Sequence, residues 1–258
     1  MMRLLRTTMM IVTLMTGSAI AAPSPIVNGP LNDWDLGHEP AIKGGATSIE
    51  EVSIHNGVRS KSRYLISLDA KGNYTQSKLV TEGNDRVYIT GYKRDGNGNL
   101  GEVIQTVLEG DEKAVYSRQT GVYNAGKLTS IVSERRLTKK ELQPEGVAEV
   151  ETKDGTTTVM MKGPAGKARM TVVITYDKSG RLATMTMTRG SRTESLTVTR
   201  NDEGLVESAT SSRGGTTGIA YQMDAHGNWS KATITTIMKT PDGKERSIKK
   251  EIVRTISY

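Results

Sequence analysis

The chain has 258 residues, no cysteine, 35% hydrophobic and 4% aromatic residues, and a formal net charge of +7. The lack of cysteine excludes disulfides, thiol nucleophiles and thiolate metal sites, and a chain of this length builds a core without such staples. With no Phe at all, the lean hydrophobic content predicts strands that bury one face and leave the other, rich in Thr and Ser, in water.

Residues 1–21 read as a signal peptide. Arg3 and Arg6 precede an apolar run from Met9 to Met15, and Ala19-Ile20-Ala21 has the small-x-small form of a cleavage site. The apolar run is too short to span ~30 Å of hydrocarbon. Export is therefore expected, to the periplasm first and to the extracellular side as the alternative, and export argues against a nucleic-acid partner. The short basic clusters Arg135-Arg136, Lys139-Lys140 and Lys249-Lys250 read as a solvated surface. Residues 22–45 carry Pro23, Pro25, Pro30 and Pro40 without periodicity and read as an extended N-terminal lead-in that plugs or covers an edge.

Residues 46–258 read as a single β-repeat domain. The recurring pattern is Asp/Asn-x-x-Gly followed by a polar residue and a large apolar one. It runs Asp69 to Tyr74, Asp95 to Leu100, a shortened Asn124 to Leu128, a degenerate Asp154-Gly155, Asp177 to Leu182, Asn201 to Leu205, and Asp224 to Trp229. The repeat glycines are Gly72, Gly98, Gly126, Gly155, Gly180, Gly204 and Gly227, a steady spacing that marks repeated supersecondary units. Asp or Asn bonds its own backbone to start a turn, and Gly takes the positive φ that ends it. The flanks alternate at strand period, as in Met170, Val172, Ile174 and Tyr176. A second set of turns without shared wording falls between, at Asn56-Gly57, Glu82 to Asp85, Gly110-Asp111, Pro144 to Gly146, Gly163 to Gly166, Arg189 to Ser191, Arg213 to Gly215 and Pro241 to Gly243. Each unit is then a hairpin, and the whole is an antiparallel meander of about 16 strands. All motif turns should share one edge. Open twisted sheets rarely exceed ~10 strands without curling, so the expected fold is all-β, a strongly curled or partly rolled open sheet.

Tyr176-Asp177-Lys178-Ser179-Gly180-Arg181-Leu182 resembles the consensus of the YD, or RHS, repeat family. Tyr221 to Lys231 resembles the variant found in small exported bacterial members, and Ile42-Lys43-Gly44 with Ser48-Ile49-Glu50-Glu51 resembles how those begin. The resemblance implies a long β-meander of the kind that wraps into shells in large toxins and builds adhesion proteins in animals. This chain has too few repeats for such a shell, and it has neither the Asp-Pro-x-Gly-Leu cleavage motif nor a toxic domain. The scaffold carries over; the toxin activity does not.

No catalytic residue, cofactor or metal site is expected. His38, His55 and His226 lack metal-ligand spacing, and no G-x-S-x-G elbow occurs. Asp95 to Asn99 starts like a calcium loop, but Leu100 stands where Gly is needed and Thr106 where Glu is needed. The motif carboxylates Asp69, Asp95, Asp177 and Asp224 recur because each turn needs one. Tyr92, Tyr123, Tyr176, Tyr221 and Trp229 lie beside motif turns and are the candidate contacts for a sugar ring or a peptide. The expected function is non-catalytic binding of an envelope glycan or protein across the curved sheet. Alternatives are an inhibitor or immunity protein that caps a toxin through an open edge, and an outer-membrane barrel. The last strand, Ile252 to Tyr258, fits a barrel. Lys250 and Arg254 share the alternating face of Tyr258, which counts against lipid exposure of that face and against membrane association.

Overall fold

The computed structural model describes residues 42–110, 112–136, 141–239 and 243–258. The signal peptide, most of the lead-in, Asp111, Lys139-Lys140 and Pro241-Asp242 lie outside them. The strands in chain order are β1 Ser48–His55, β2 Val58–Leu68, β3 Tyr74–Thr81, β4 Arg86–Arg94, β5 Leu100–Glu109, β6 Glu112–Asn124, β7 Lys127–Arg135 and β8 Gln143–Lys153, then β9 Thr156–Lys162, β10 Ala168–Tyr176, β11 Leu182–Arg189, β12 Arg192–Arg200, β13 Val206–Ser211, β14 Gly215–Met223, β15 Trp229–Lys239 and β16 Glu245–Ser257. Each pairs antiparallel with its sequence neighbours, and β1 also pairs with β16, from Ser48↔Ser257 to His55↔Lys250. The meander of 16 strands agrees with the turn pattern. The open sheet does not: the chain closes into a barrel. Closure removes both unpaired edges, the most direct remedy for the exposed-edge problem, and with them the edge on which the inhibitor reading rested.

The seam shows why closure occurs here. Ile49 faces Ile66 and Ile256, and Glu51 faces Tyr64 and Arg254. Ile49 and Ile66 are fully buried, and Arg254 Nε donates to Glu51 Oε2 at 2.9 Å with both side chains buried. Arg254 also lies 3.3 Å above the Trp229 ring. Lys250 and Arg254 therefore point into the barrel. The outward positions of β16 are Lys249, Glu251, Val253 and Thr255 instead.

Away from the buried Glu51, Lys250 and Arg254 of the seam and a few buried polar side chains such as Thr157, Glu194 and Thr217, the inside is apolar. Val159, Val172, Ile174, Val206, Ala209 and Ala232 have no exposure and belong to one core cluster that runs from Leu100 to Ile252. A round barrel of 16 strands encloses a water channel. Side chains with no water beside them need other side chains against them, so the interior is packed along this cluster. The outside is mixed: Val122, Val132, Val147 and Ile237 are exposed on it, among polar side chains. Between β10 and β13 it is a threonine lattice, with Thr175–Thr184, Thr186–Ser195 and Thr199–Ser208 hydroxyl contacts of 2.6, 3.0 and 2.7 Å. Elsewhere it carries ion pairs, including Lys93–Glu102 at 2.6 Å, Arg118–Glu102 at 3.1 Å and Lys231–Glu251 at 3.1 Å.

All motif turns lie on one rim. Asp177 shows their construction: its Oδ1 accepts from the backbone N–H of Ser179 at 2.8 Å and of Arg181 at 3.0 Å, and Gly180 N donates to Asp177 O. Asp69, Asp95 and Asp224 repeat the pattern, and Asn201 accepts the equivalent bond from Leu205 N. The shortened copies at Asn124 and Asp154 are two-residue hairpin turns instead, with left-handed pairs Ala125-Gly126 and Asp154-Gly155. On the same rim the last motif turn clasps the incoming chain. Lys43 N donates to Asn228 Oδ1, Asn228 Nδ2 donates to Lys43 O and to the Tyr258 hydroxyl, and Tyr258 stacks on His226.

Candidate functional site

The aromatics beside the motif turns are braces between turns. Tyr123 Oη donates to Leu100 O at 3.0 Å, Tyr176 Oη to Thr157 Oγ1 at 3.1 Å and Tyr221 Oη to Val206 O at 2.9 Å. Each crosses from an even-numbered strand to the start of the strand before it. Arg200 does the same work on β12, donating to Gly204 O and Leu182 O. Tyr92 packs against Tyr74, ring centroids 6.4 Å apart. Trp229 is not an exposed contact. It is buried, tilted against Tyr221 and capped by Arg254, and it occupies the slot that Leu100, Leu182 and Leu205 fill in other repeats. These residues do not come together in one concave site.

Two concave sites among the described residues lie inside the barrel, toward the opposite rim. The first is a cavity of about 240 Å³ between β2 and β6. Its lining carries no charge: the rings of Tyr64, Tyr88 and Tyr116, the polar ends of Ser77, Thr90 and Gln105, and Leu79 and Val107. Tyr116 reaches it because β6 bulges there. Gln105 pairs with Ser117 and Thr106 with Val115, which leaves Tyr116 as the extra residue, and a bulge re-aims a side chain. Tyr64 is 8% exposed, and its hydroxyl has no hydrogen-bond partner among the described residues. Burial, and after it the Glu51 carboxylate, push its ionisation upward, so the phenol stays protonated and able to donate. A buried donor without a partner costs about 1–3 kcal/mol, which a ligand acceptor would recover.

The second cavity, of about 400 Å³, lies between β6 and β11. Ile131, Ala148, Met161 and Met170 form its floor, and Glu145, Lys162, Arg169 and Arg189 stand at its mouth. Sequence reasoning missed both cavities. The signal within its reach was the set of bulges, which appear only as broken alternation in β6 and β10. Among the described residues, no group of three or more His, Cys, Asp or Glu could hold a metal ion, and no helix is long and apolar enough to cross a membrane, which says nothing about strands.

No family model matches the chain, and no curated protein matches it. Among solved structures it is similar to a porin-like protein from Bacteroides uniformis, with a TM-score of 0.57 at 13% identity, covering 85% of this chain and 100% of that one. A porin-like protein from Bacteroides vulgatus aligns at 10% identity over 83% of this chain and 98% of that one, with a TM-score of 0.35. At such identities the first likeness establishes a shared fold. Closure and that likeness support a barrel, and they replace the open curved sheet on which binding was expected.

Proposed function

We propose that the chain is an exported, non-catalytic β-barrel of the cell envelope that binds a neutral sugar unit in the tyrosine-lined cavity. The observation that carries this reading is the unpartnered Tyr64 hydroxyl, buried in a cavity walled by two further tyrosines and by Ser77, Thr90 and Gln105. Aromatic faces take the apolar C–H side of a sugar, and hydroxyl and amide groups take its hydroxyls. No charged side chain is among the lining residues; Arg135, which donates to the Tyr116 hydroxyl and lies 4.9 Å from the centre of its ring, is the charge next to it. At about 240 Å³ the space falls below the ~300–1,000 Å³ of drug-sized pockets and suits one ring. Titration of the mature protein with glucose, mannose and N-acetylglucosamine, read by tyrosine fluorescence, tests it. Saturable binding of one sugar that is lost in Tyr116→Ala and weakened in Tyr64→Phe is expected. Failure of all three to bind, or equal binding by wild type and Tyr116→Ala, overturns it.

A second reading, a barrel embedded in the outer membrane, draws on the closed even-stranded meander and on the fold likeness. Two features oppose it. A buried apolar cluster from Leu100 to Ile252 occupies part of the lumen that a pore needs, and Lys78, Arg118, Glu149 and Glu251 project outward from mid-strand, where a lipid-facing Arg or Lys costs about 2–4 kcal/mol at the bilayer midplane. We propose the periplasm on the strength of those charges, while the closed barrel and the exposed outward Val122, Val132, Val147 and Ile237 favour the membrane. Retention of the mature protein in the membrane after a carbonate wash would reverse that placement. Kinship with the YD repeats is consistent with the motif turns sharing one rim, and we keep it as part of the proposal.

A further inference from the structure

The second cavity has a chemistry opposite to the first. Its floor is mainly apolar, from Ile131, Ala148, Met161 and Met170 with Gln119 and Ser133 beside them, and its mouth carries three cations and one carboxylate. The acidic group at the mouth is already used: Glu145 lies 3.3 Å from Arg135. Lys162 is taken by Glu149. Arg169 and Arg189, both exposed, make no ion pair among the described residues. Arg169 is also held in place. It is the extra residue of a bulge in β10, between Ala168↔Lys162 and Met170↔Met161, and its guanidinium lies so close over Gly163 that a Cβ there would collide with Nε and Cζ. A bulge and a glycine thus aim one cation at the opening of an apolar chamber. At about 400 Å³ the chamber falls within the size range of ligand pockets.

We propose that this cavity binds an amphipathic anion: an acyl chain on the methionine floor, with a carboxylate or phosphate head held by Arg169 and Arg189. Guanidinium groups match both heads by paired N–H donors, and the floor supplies the apolar burial that a bare anion cannot use. Lipid-derived acids and acyl phosphates share this chemistry. The site stands apart from the tyrosine-lined cavity and does not depend on sugar binding there.

Calorimetric titration of the mature protein with dodecanoate, dodecyl phosphate, dodecanol and inorganic phosphate, each below its micelle concentration, tests the proposal. Saturable binding of dodecanoate or dodecyl phosphate is expected, and the stronger of the two identifies the head. The double substitution Arg169→Gln/Arg189→Gln, at exposed positions, should weaken it about tenfold or more. Ala148→Leu, which adds volume at the floor, should weaken the acyl ligands without removing either arginine. Dodecanol binding as tightly as dodecanoate would overturn the cationic half of the proposal, and inorganic phosphate binding as tightly as dodecyl phosphate would overturn the apolar half. Unchanged dodecanoate affinity in both variants would overturn the site itself.

Discussion

The two rims of the barrel use the same kind of hairpin connection for different ends. On the motif rim nearly every side chain serves geometry. Asp and Asn hold the turns, tyrosines and Arg200 tie each turn to its neighbour, and Leu100, Leu182, Leu205 and Trp229 seal the core beneath. On the opposite rim the turns share no wording, the strands bulge at Tyr116 and Arg169, and both cavities reach toward it. The regular rim drew attention in the sequence because repetition is easy to see. Repetition there reflects a shared structural need, and the irregular rim is where binding has room.

That contrast can be broken by substitution. The largest effect is expected at the seal: Leu182→Ala, at 2% exposure, should cost about 2–5 kcal/mol in chemical denaturation. A loss below 1 kcal/mol would mean that the motif rim is not packed as described. Tyr176→Phe removes a brace and should cost about 1 kcal/mol, whereas Tyr88→Phe on the opposite side, at a residue 46% exposed, should cost clearly less. Ala125 holds a left-handed conformation, φ 49°, in which L-residues are strained by roughly 1–2 kcal/mol. Ala125→Gly should therefore raise the melting temperature, and a fall would refute that account of the shortened turn.

The motif rim should also be the acid-sensitive one. The backbone N–H of Arg181, with that of Ser179, holds the Asp177 carboxyl below its ordinary value, and bonds from Asn99 do the same for Asp95. A folded-state value below the unfolded one contributes stability above the unfolded value, near pH 4, and that contribution disappears as pH falls through the folded value. Melting temperature should decline below about pH 4. Asp177→Asn, which copies the natural Asn201 turn, should flatten part of that decline with little change at pH 7. A slope identical to wild type would remove Asp177 from the account. The smallest effect belongs to the irregular turns: a two-glycine insertion after Arg213 should shift stability by less than about 0.5 kcal/mol.

Strand number, antiparallel order and the segregation of motif turns to one edge were legible in the sequence because each rests on local signals, a turn residue and a period of two. Closure was not. It depends on Ile49 meeting Ile256 and on Glu51 meeting Arg254, pairings between positions about 200 residues apart that no local pattern announces. The same blindness counted Arg254 against a membrane barrel, as a charge on a face that would meet lipid, when a buried carboxylate was waiting for it across the seam. Trp229 looked like a contact because large aromatics at turns often are, yet its repeat slot belongs to leucine. The cavities depend on single-residue bulges, which break alternation and read in a sequence as noise.

The seam also fixes where the ends of the barrel lie. Ser48 and Ser257 are paired residues on the motif rim, so the strands that open and close the barrel meet side by side, away from both cavity mouths. A fused partner or a surface linker joined there would leave the mouths facing outward. A circular permutant that bridges the two ends and is cut at the Ser212–Gly214 turn should keep every strand pairing.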